Sequence, residues 1–312
     1  MNKKRSRILL IALVLLLALF FLLRFLRPEE RTRNVIDLKS GAIDRILIWD
    51  NMAKLELKRD GERWMLQQPL VWAADSTRVR QFFEKVVSAK YATKAMSIDP
   101  NAAENYGLSD TDALHIQLFA GNKNRHLLFS NLGNEWDYFR WAGKSEVYAI
   151  KSKVVQHFPP ELLVWRSPLI LRYYEEHIRS IRSKHKDNDY TLSRQGSSWT
   201  YEDKRQKFPV DFDNYALVKI ISILQNFNTY IFIDGKTPEY ESAFAEPMCE
   251  VWITDTDGNT RKLSFAKFDH NRHLLMVDDD NSVLYQVEFD SVYRFMRNPE
   301  IFRMVFSAPP GA

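Results

Sequence analysis

The stretch Leu55-Glu56-Leu57-Lys58-Arg59-Asp60-Gly61-Glu62-Arg63-Trp64 returns 135 residues later as Tyr190-Thr191-Leu192-Ser193-Arg194-Gln195-Gly196-Ser197-Ser198-Trp199. An apolar alternation, an arginine, a glycine and a tryptophan keep one frame in both windows, and the same offset carries Ile43 and Ile46 onto Ile178 and Ile181. A period this long exceeds a solenoid unit and is about the size of one small globular domain. It predicts two related domains in tandem, each with its own core.

Outward from that stretch, copy one reads as a meander. Ile43, Ile46 and Ile48 alternate or nearly so, the chain turns at Asn51, and Leu55 and Leu57 alternate again. Asp60-Gly61 predicts a two-residue type I′ turn, after which Trp64 and Leu66 resume the pattern. Asp75 is placed to cap a helix whose stripe is Val79, Phe82, Phe83, Val86 and Val87. In copy two Asp213 precedes Leu217, Ile220, Ile221 and Leu224. Strands follow at 113–119, 127–129 and 147–150 in copy one, and around Val251, Leu263 and Val283 in copy two. The predicted class is α+β, with an N-terminal transmembrane helix followed by two tandem repeated two-layer domains. Each is a mainly antiparallel sheet with a packed helix. Trp64 and Trp199 are read as equivalent core anchors.

Residues Ile8 to Leu23 are apolar without a break, preceded by Lys3, Lys4, Arg5 and Arg7 and closed by Arg24. Carried through Phe25 and Leu26, with Arg24 snorkelling, the run makes a helix of roughly 28 Å against a bilayer core of about 30 Å. A cleaved signal peptide would need a small-residue site, and the run ends in Arg24-Phe25-Leu26-Arg27-Pro28. No cysteine closes the run to accept a lipid. The expected division is therefore a cytoplasmic tail at 1–7, an anchor at 8–26, a juxtamembrane linker at 27–40, repeat domains at 41–168 and 169–306, and a tail at 307–312. The basic amino end favours a cytoplasmic N-terminus in a bacterial cytoplasmic membrane, with a periplasmic body. The lone Cys249 accords with that.

Charge excludes one class of partner. Residues 1–33 hold eight Lys or Arg and two Glu, so of the net +4 the rest of the chain carries −2. The body offers no basic footprint for nucleic acid. With 45% hydrophobic residues and ten glycines the chain can bury two cores. There is no phosphate loop, dinucleotide fingerprint or nucleophile elbow. Asp269, His270 and His273 with Asp278 to Asp280 match no metal spacing, and Asp255, Asp257 and Asn259 lack the remainder of a calcium loop. The expectation is no enzyme, no cofactor and no metal.

The run Trp136-Asp137-Tyr138-Phe139-Arg140-Trp141 puts aromatics on both faces of a strand, and the matching stretch of copy two, 273–277, has none. Trp136, Tyr138 and Arg140 are accordingly the candidate partner contact, since aromatics and arginine make binding hot spots. Burial of both faces is the competing reading.

The order Trp64, Pro69, Ala74-Asp75, Asp99-Pro100, Tyr106-Gly107-Leu108, Phe139-Arg140 and Glu146-Val147-Tyr148 resembles the bacterial domain of unknown function 4340 family. In copy two the likeness is degenerate, Phe244-Ala245-Glu246 standing where Tyr-Gly-Leu would be. The resemblance implies a membrane-anchored protein neighbouring gliding-type ABC transport systems and assigns no catalytic residues. Two readings follow. One is a non-enzymatic, extracytoplasmic accessory or scaffold subunit of an ABC-type transporter or envelope complex, partnered by the bilayer and by membrane subunits. The other is an extracytoplasmic glycan- or solute-binding module using the aromatic strand.

Overall fold

The computed structural model describes residues 13, 15–20, 22, 31–130, 132, 135–153, 155–186, 188–235 and 238–304. Most of the predicted anchor lies outside these. The parts of it that are described, 13, 15–20 and 22, are helical. Among the described residues no helix is long and apolar enough to cross a membrane. The chain falls into two compact units, Met1–Ser167 and Pro168–Ala312.

The first unit is an antiparallel sheet of eight strands built from two meanders. One comprises β2 (Arg45–Trp49), β3 (Lys54–Asp60), β4 (Arg63–Gln68) and β5 (Trp72–Ala73), and β1 (Thr32–Asn34) and β6 (Lys90–Ala92) form a separate two-stranded ribbon. The other meander comprises β7 (Leu114–Ala120), β8 (Lys123–Phe129), β9 (Asp137–Trp141) and β10 (Tyr148–Ile150). The meanders join where β2 meets β7, with Ile46 opposite Leu118 and Ile48 opposite Ile116, all fully buried. Alternation puts these side chains, with Leu55, Leu57, Leu66, Leu127 and Phe129, on one face.

The helix Ser76–Phe82, continued by a π-turn through Val87, closes that face with Val79, Phe82, Val86 and Val87. Asp75 caps it as expected, its carboxylate accepting from the amides of Thr77 (2.8 Å) and Arg78 (3.1 Å). Phe82 meets Phe158 and Trp165 edge-on, at 5.4 and 5.5 Å, which fixes the short helix Leu162–Trp165 against it.

The second unit repeats this order of elements. Its strands are β11 (Leu169–Leu171), β12 (Ile178–His185), β13 (Asn188–Gln195), β14 (Ser198–Asp203), β15 (Lys207–Val210), β16 (Phe227–Asn228), β17 (Phe232–Asp234), β18 (Cys249–Asp255), β19 (Thr260–Lys267), β20 (His273–Val277) and β21 (Asp280–Val287). The sheet runs β15-β14-β13-β12-β18-β19-β20-β21-β17, with β11 and β16 as the separate ribbon. The position of strand β17 is taken in the first unit by an isolated bridge between Ser97 and Val147 beside β10. The helix Tyr215–Gln225 buries Leu217, Ile220, Ile221 and Leu224.

Four local expectations change. Asp60 pairs with Arg63 and Gln195 with Ser198, so the turns are Gly61-Glu62 and Gly196-Ser197. Only the glycine of each has positive φ, at 60°, which is the demand of a II′ turn and not of I′. The second helix is capped by Asn214 and not Asp213. The buried Asn214 accepts from Ala216 and Leu217 and also donates to the carbonyls of Ile301 and Met304, which a carboxylate could not do. The span drawn as a linker ends sooner, because Val35 and Ile36 are core residues at 2% exposure and β1 pairs with β6. Trp64 and Trp199 occupy the same register, opposite Arg59 and Arg194, yet Trp199 is buried and Trp64 is only half-buried.

That difference sets a test. Trp199→Ala should cost about 3–5 kcal/mol and Trp64→Ala clearly less, measured as shifts in urea unfolding curves. Equal losses would contradict the packing described.

Candidate functional site

On β9 the aromatic run sorts by parity. Phe139 and Trp141 point into the core, where Tyr91 packs against both rings and against Tyr148 at 5.0–5.4 Å. Asp137 shares that face and is buried, its carboxylate accepting from the Val155 amide. Tyr138 and Arg140 point to the other face.

That other face is covered here, which corrects the expectation of an open contact surface at Tyr138 and Arg140. The segment 102–113 folds over it, with Leu108, Ala113, Leu128 and Val147 fully buried and Tyr106 and Tyr138 packed around them. The two tyrosine rings meet at 4.8 Å. Gly107 makes the turn that brings Leu108 down, at φ 66°. Arg140 is 8% exposed and binds the segment from beneath. Its Nε donates to the Leu108 carbonyl at 2.8 Å, one Nη to the Lys144 carbonyl, and the other Nη to the Asp110 carboxylate. Trp136 precedes the strand and stays half-buried, 5.9 Å from the Lys151 ammonium.

The chemistry on this face continues past Arg140 to residues the sequence reading did not single out. The Asp110 carbonyl lies 3.0 Å from His115 Nε2, and His115 Nδ1 lies 3.0 Å from His126 Nε2. A carbonyl only accepts, so His115 carries its proton on Nε2 and its Nδ1 accepts from His126 Nε2–H. Trp49 stacks on His115 at 4.7 Å and leans on His126 at 5.0 Å. Burial depresses the pKa of both imidazoles. For His126 the neighbouring His115 depresses it further. A signal for the pair was present: the Gly121-Asn122 turn fixes a register in which Gln117 faces His126, placing His115 diagonally across.

The second unit holds different chemistry at this position. Lys184 faces Glu250 and Trp252 faces Lys262, the pairings that Trp49–His115 and Gln117–His126 make in the first unit. Lys262 and Glu250 form an ion pair at 3.0 Å. Met276 stands across from Ser264, as Arg140 does from Leu128. An ion pair in one unit is thus matched by a pair of imidazoles in the other.

Among the described residues no three or more His, Cys, Asp or Glu could hold a metal ion. The Asp269 carboxylate, held down to about 2 by the Asn271 amide and by Arg272, closes a hairpin turn. Asp278 accepts from the Lys262 amide and pairs with Arg261, and His273 lies buried against Phe289. Asp255 is bound by Asn259 and the Asp257 amide. A groove of ≈ 480 Å³ in the second unit is lined by Glu175, Arg194, Trp199, Asp211 and Phe212, with the Trp199 indole donating to Glu175.

A family model described as a domain of unknown function, DUF4340, matches residues 64–245, more than half of the chain. The chain belongs to the DUF4340 family. The match spans Arg140, the histidine pair and Tyr106-Gly107-Leu108, and it runs past the joint between the units as far as Ala245. No curated protein and no solved structure matches the chain.

Two outcomes follow for this DUF4340 protein. Arg140→Met, which copies the second unit, leaves the Leu108 carbonyl without its donor. It should cost about 1–3 kcal/mol and speed amide exchange over 108–113, whereas Trp136→Ser should leave both unchanged. The histidines give a pH dependence. With folded pKa values below the ordinary 6.5, the unfolded chain binds more protons as pH falls, so stability present above pH 6.5 is lost toward the lower folded values. Urea midpoints at pH 7.5 and 5.5 should differ less in His115→Gln/His126→Gln than in the parent, and an unchanged difference would remove the pair as a contributor.

Proposed function

We propose that this DUF4340 protein is a single-pass, membrane-tethered and non-enzymatic accessory subunit. Its body would lie outside the cytoplasm as a scaffold in an ABC-type transport or envelope complex. The observation that carries the reading is the apolar run 8–26 with Lys3, Lys4, Arg5 and Arg7 before it. The described leucines of that run, such as Leu13, Leu16 and Leu22, are 55–64% exposed on a helix, as suits side chains whose solvent is lipid. Family membership supports the assignment to a component without assigned chemistry.

We further read the matching order of elements in the two units as a duplicated fold. Duplication makes a scaffold whose binding chemistry lies where the copies differ. On this view Trp136, outside the core and without a counterpart in the second unit, is the aromatic available to a partner, while Tyr138 and Arg140 hold the covering segment.

Reporter fusions after Ala312 and affinity capture of the full-length, detergent-solubilised protein test the reading together. A reporter active only outside the cytoplasm should score, and membrane subunits of a transporter should co-purify, with Trp136→Ser lowering their recovery. Activity of a cytoplasm-only reporter, or a mature N-terminus near Pro28, would sink it.

A further inference from the structure

The ribbon β1–β6 is where the chain enters the first unit. Between Leu26, the last residue of the apolar run, and Thr32, the first of β1, lie five residues, which span at most about 20 Å. If the run is an anchor, whatever surrounds β1 must stay within that distance of the bilayer surface.

What surrounds it is basic. Arg31, Arg33, Lys90 and Lys94 are all exposed, and none of them is in an ion pair among the described residues. The ribbon brings them together: Arg33 faces Tyr91, Asn34 faces Lys90, and the Thr93 amide donates to the Arg31 carbonyl. No acid occurs from Arg31 to Ile36 or from Lys90 to Ile98. Glu29 and Glu30 precede Arg31 in sequence, flanked by Arg24 and Arg27 on the other side, and among the described residues half-buried Glu146 acts with Arg33 on Tyr148. Asp37 is engaged by Arg125. Past the ribbon the segment runs along the β10 edge through the Ser97–Val147 bridge and exposes Met96 at 44% and Ile98 at 76%.

Exposed cations beside projecting aliphatic side chains fit an anionic lipid surface, where headgroups take the charge and the aliphatic groups enter the interface. The corresponding ribbon of the second unit has the opposite character. Its strands are Leu169-Ile170-Leu171 and Phe227-Asn228, and the one cation next to it, Arg172, is hydrogen-bonded to Asn226. The basic surface therefore belongs to the position beside the tether and not to the fold.

We propose that the ribbon of Arg31, Arg33, Lys90 and Lys94, with Met96 and Ile98, docks the first unit on the anionic headgroups of the membrane that holds the anchor. This rests on the anchored reading above. Docking removes much of the rotational freedom of a body on a short tether and turns a defined face of the first unit away from the bilayer.

The test uses the full-length chain carrying Ile98→Cys, labelled with an environment-sensitive fluorophore. Cys249 is fully buried and leaves the new thiol as the one labelled. The protein is reconstituted into vesicles of phosphatidylcholine, with or without phosphatidylglycerol. With the anionic lipid the emission should shift to the blue and be quenched by brominated lipid. Both effects should fade as salt rises from about 0.1 to 1 M, where the Debye length falls from about 10 to 3 Å. Each of Arg31→Ala, Arg33→Ala, Lys90→Ala and Lys94→Ala should lower the docked-to-free ratio by up to about fivefold. Protein that floats with the vesicles and resists alkaline extraction, yet keeps a water-exposed label in anionic vesicles, overturns docking and leaves the anchor standing. Protein that fails to float overturns the anchor and docking with it.

Discussion

Each unit depends on one long-range strand pairing, β2 with β7 in the first and β12 with β18 in the second. The meanders on either side form from neighbours in sequence through short connections, whereas the seam joins residues such as Ile48 and Ile116, or Ser183 and Val251, across the whole helical excursion. Closing that loop costs chain entropy before any contact offsets it. The offset comes from burial: Ile46, Ile48, Ile116 and Leu118 are fully removed from water in the first unit, and Ile181, Val251 and Ile253 in the second. The helix that follows the first meander packs over the seam's side of the sheet, so the capping of that helix by Asp75 or Asn214 serves the same closure.

The meanders explain why so much of the fold could be read from sequence. The first meander alternates clearly, as with Leu55 and Leu57, and hairpin turns carry glycines at Gly61, Gly121, Gly196 and Gly258, all with positive φ. Register within a hairpin follows from its turn, and the repeat carries Ile46 onto Ile181, but the pairing across the seam joins residues too far apart in sequence to be read from either. The failures were of finer grain. Asp213 and Asn214 are both good caps by side-chain chemistry, and only the carbonyls of Ile301 and Met304, far along the chain, decide for the amide. The burial of Trp199 relative to Trp64 depends likewise on distant packing, Trp64 leaning on Phe83 while Trp199 donates to Glu175.

The aromatic strand shows the limit of alternation as a guide. It correctly divides Phe139 and Trp141 from Tyr138 and Arg140, but it cannot say what lies over the second face. A segment without regular alternation, 102–113, covers that face, and its attachment is polar: the guanidinium of Arg140 beneath, with Leu108 inserted beside it. Arg140 was read as a contact residue because it is an arginine among aromatics, and the same chemistry serves to hold a segment of its own chain. The histidine pair was missed because neither residue is notable alone. It becomes visible only when strand register places His115, His126 and Trp49 side by side.

Proton placement on that pair has a consequence for the covering segment. His115 Nε2–H is committed to the Asp110 carbonyl, so the bond between the rings requires an unprotonated Nδ1 on His115. A proton can enter at His126 Nδ1 without breaking any of these bonds. A proton on His115 Nδ1 would set two N–H groups against each other at 3.0 Å and so oppose the geometry on which Asp110, and through it Arg140, is held. In the second unit the corresponding position holds the ion pair of Lys262 and Glu250 and no imidazole, while burial depresses the pKa of His185 and His273 elsewhere in that unit.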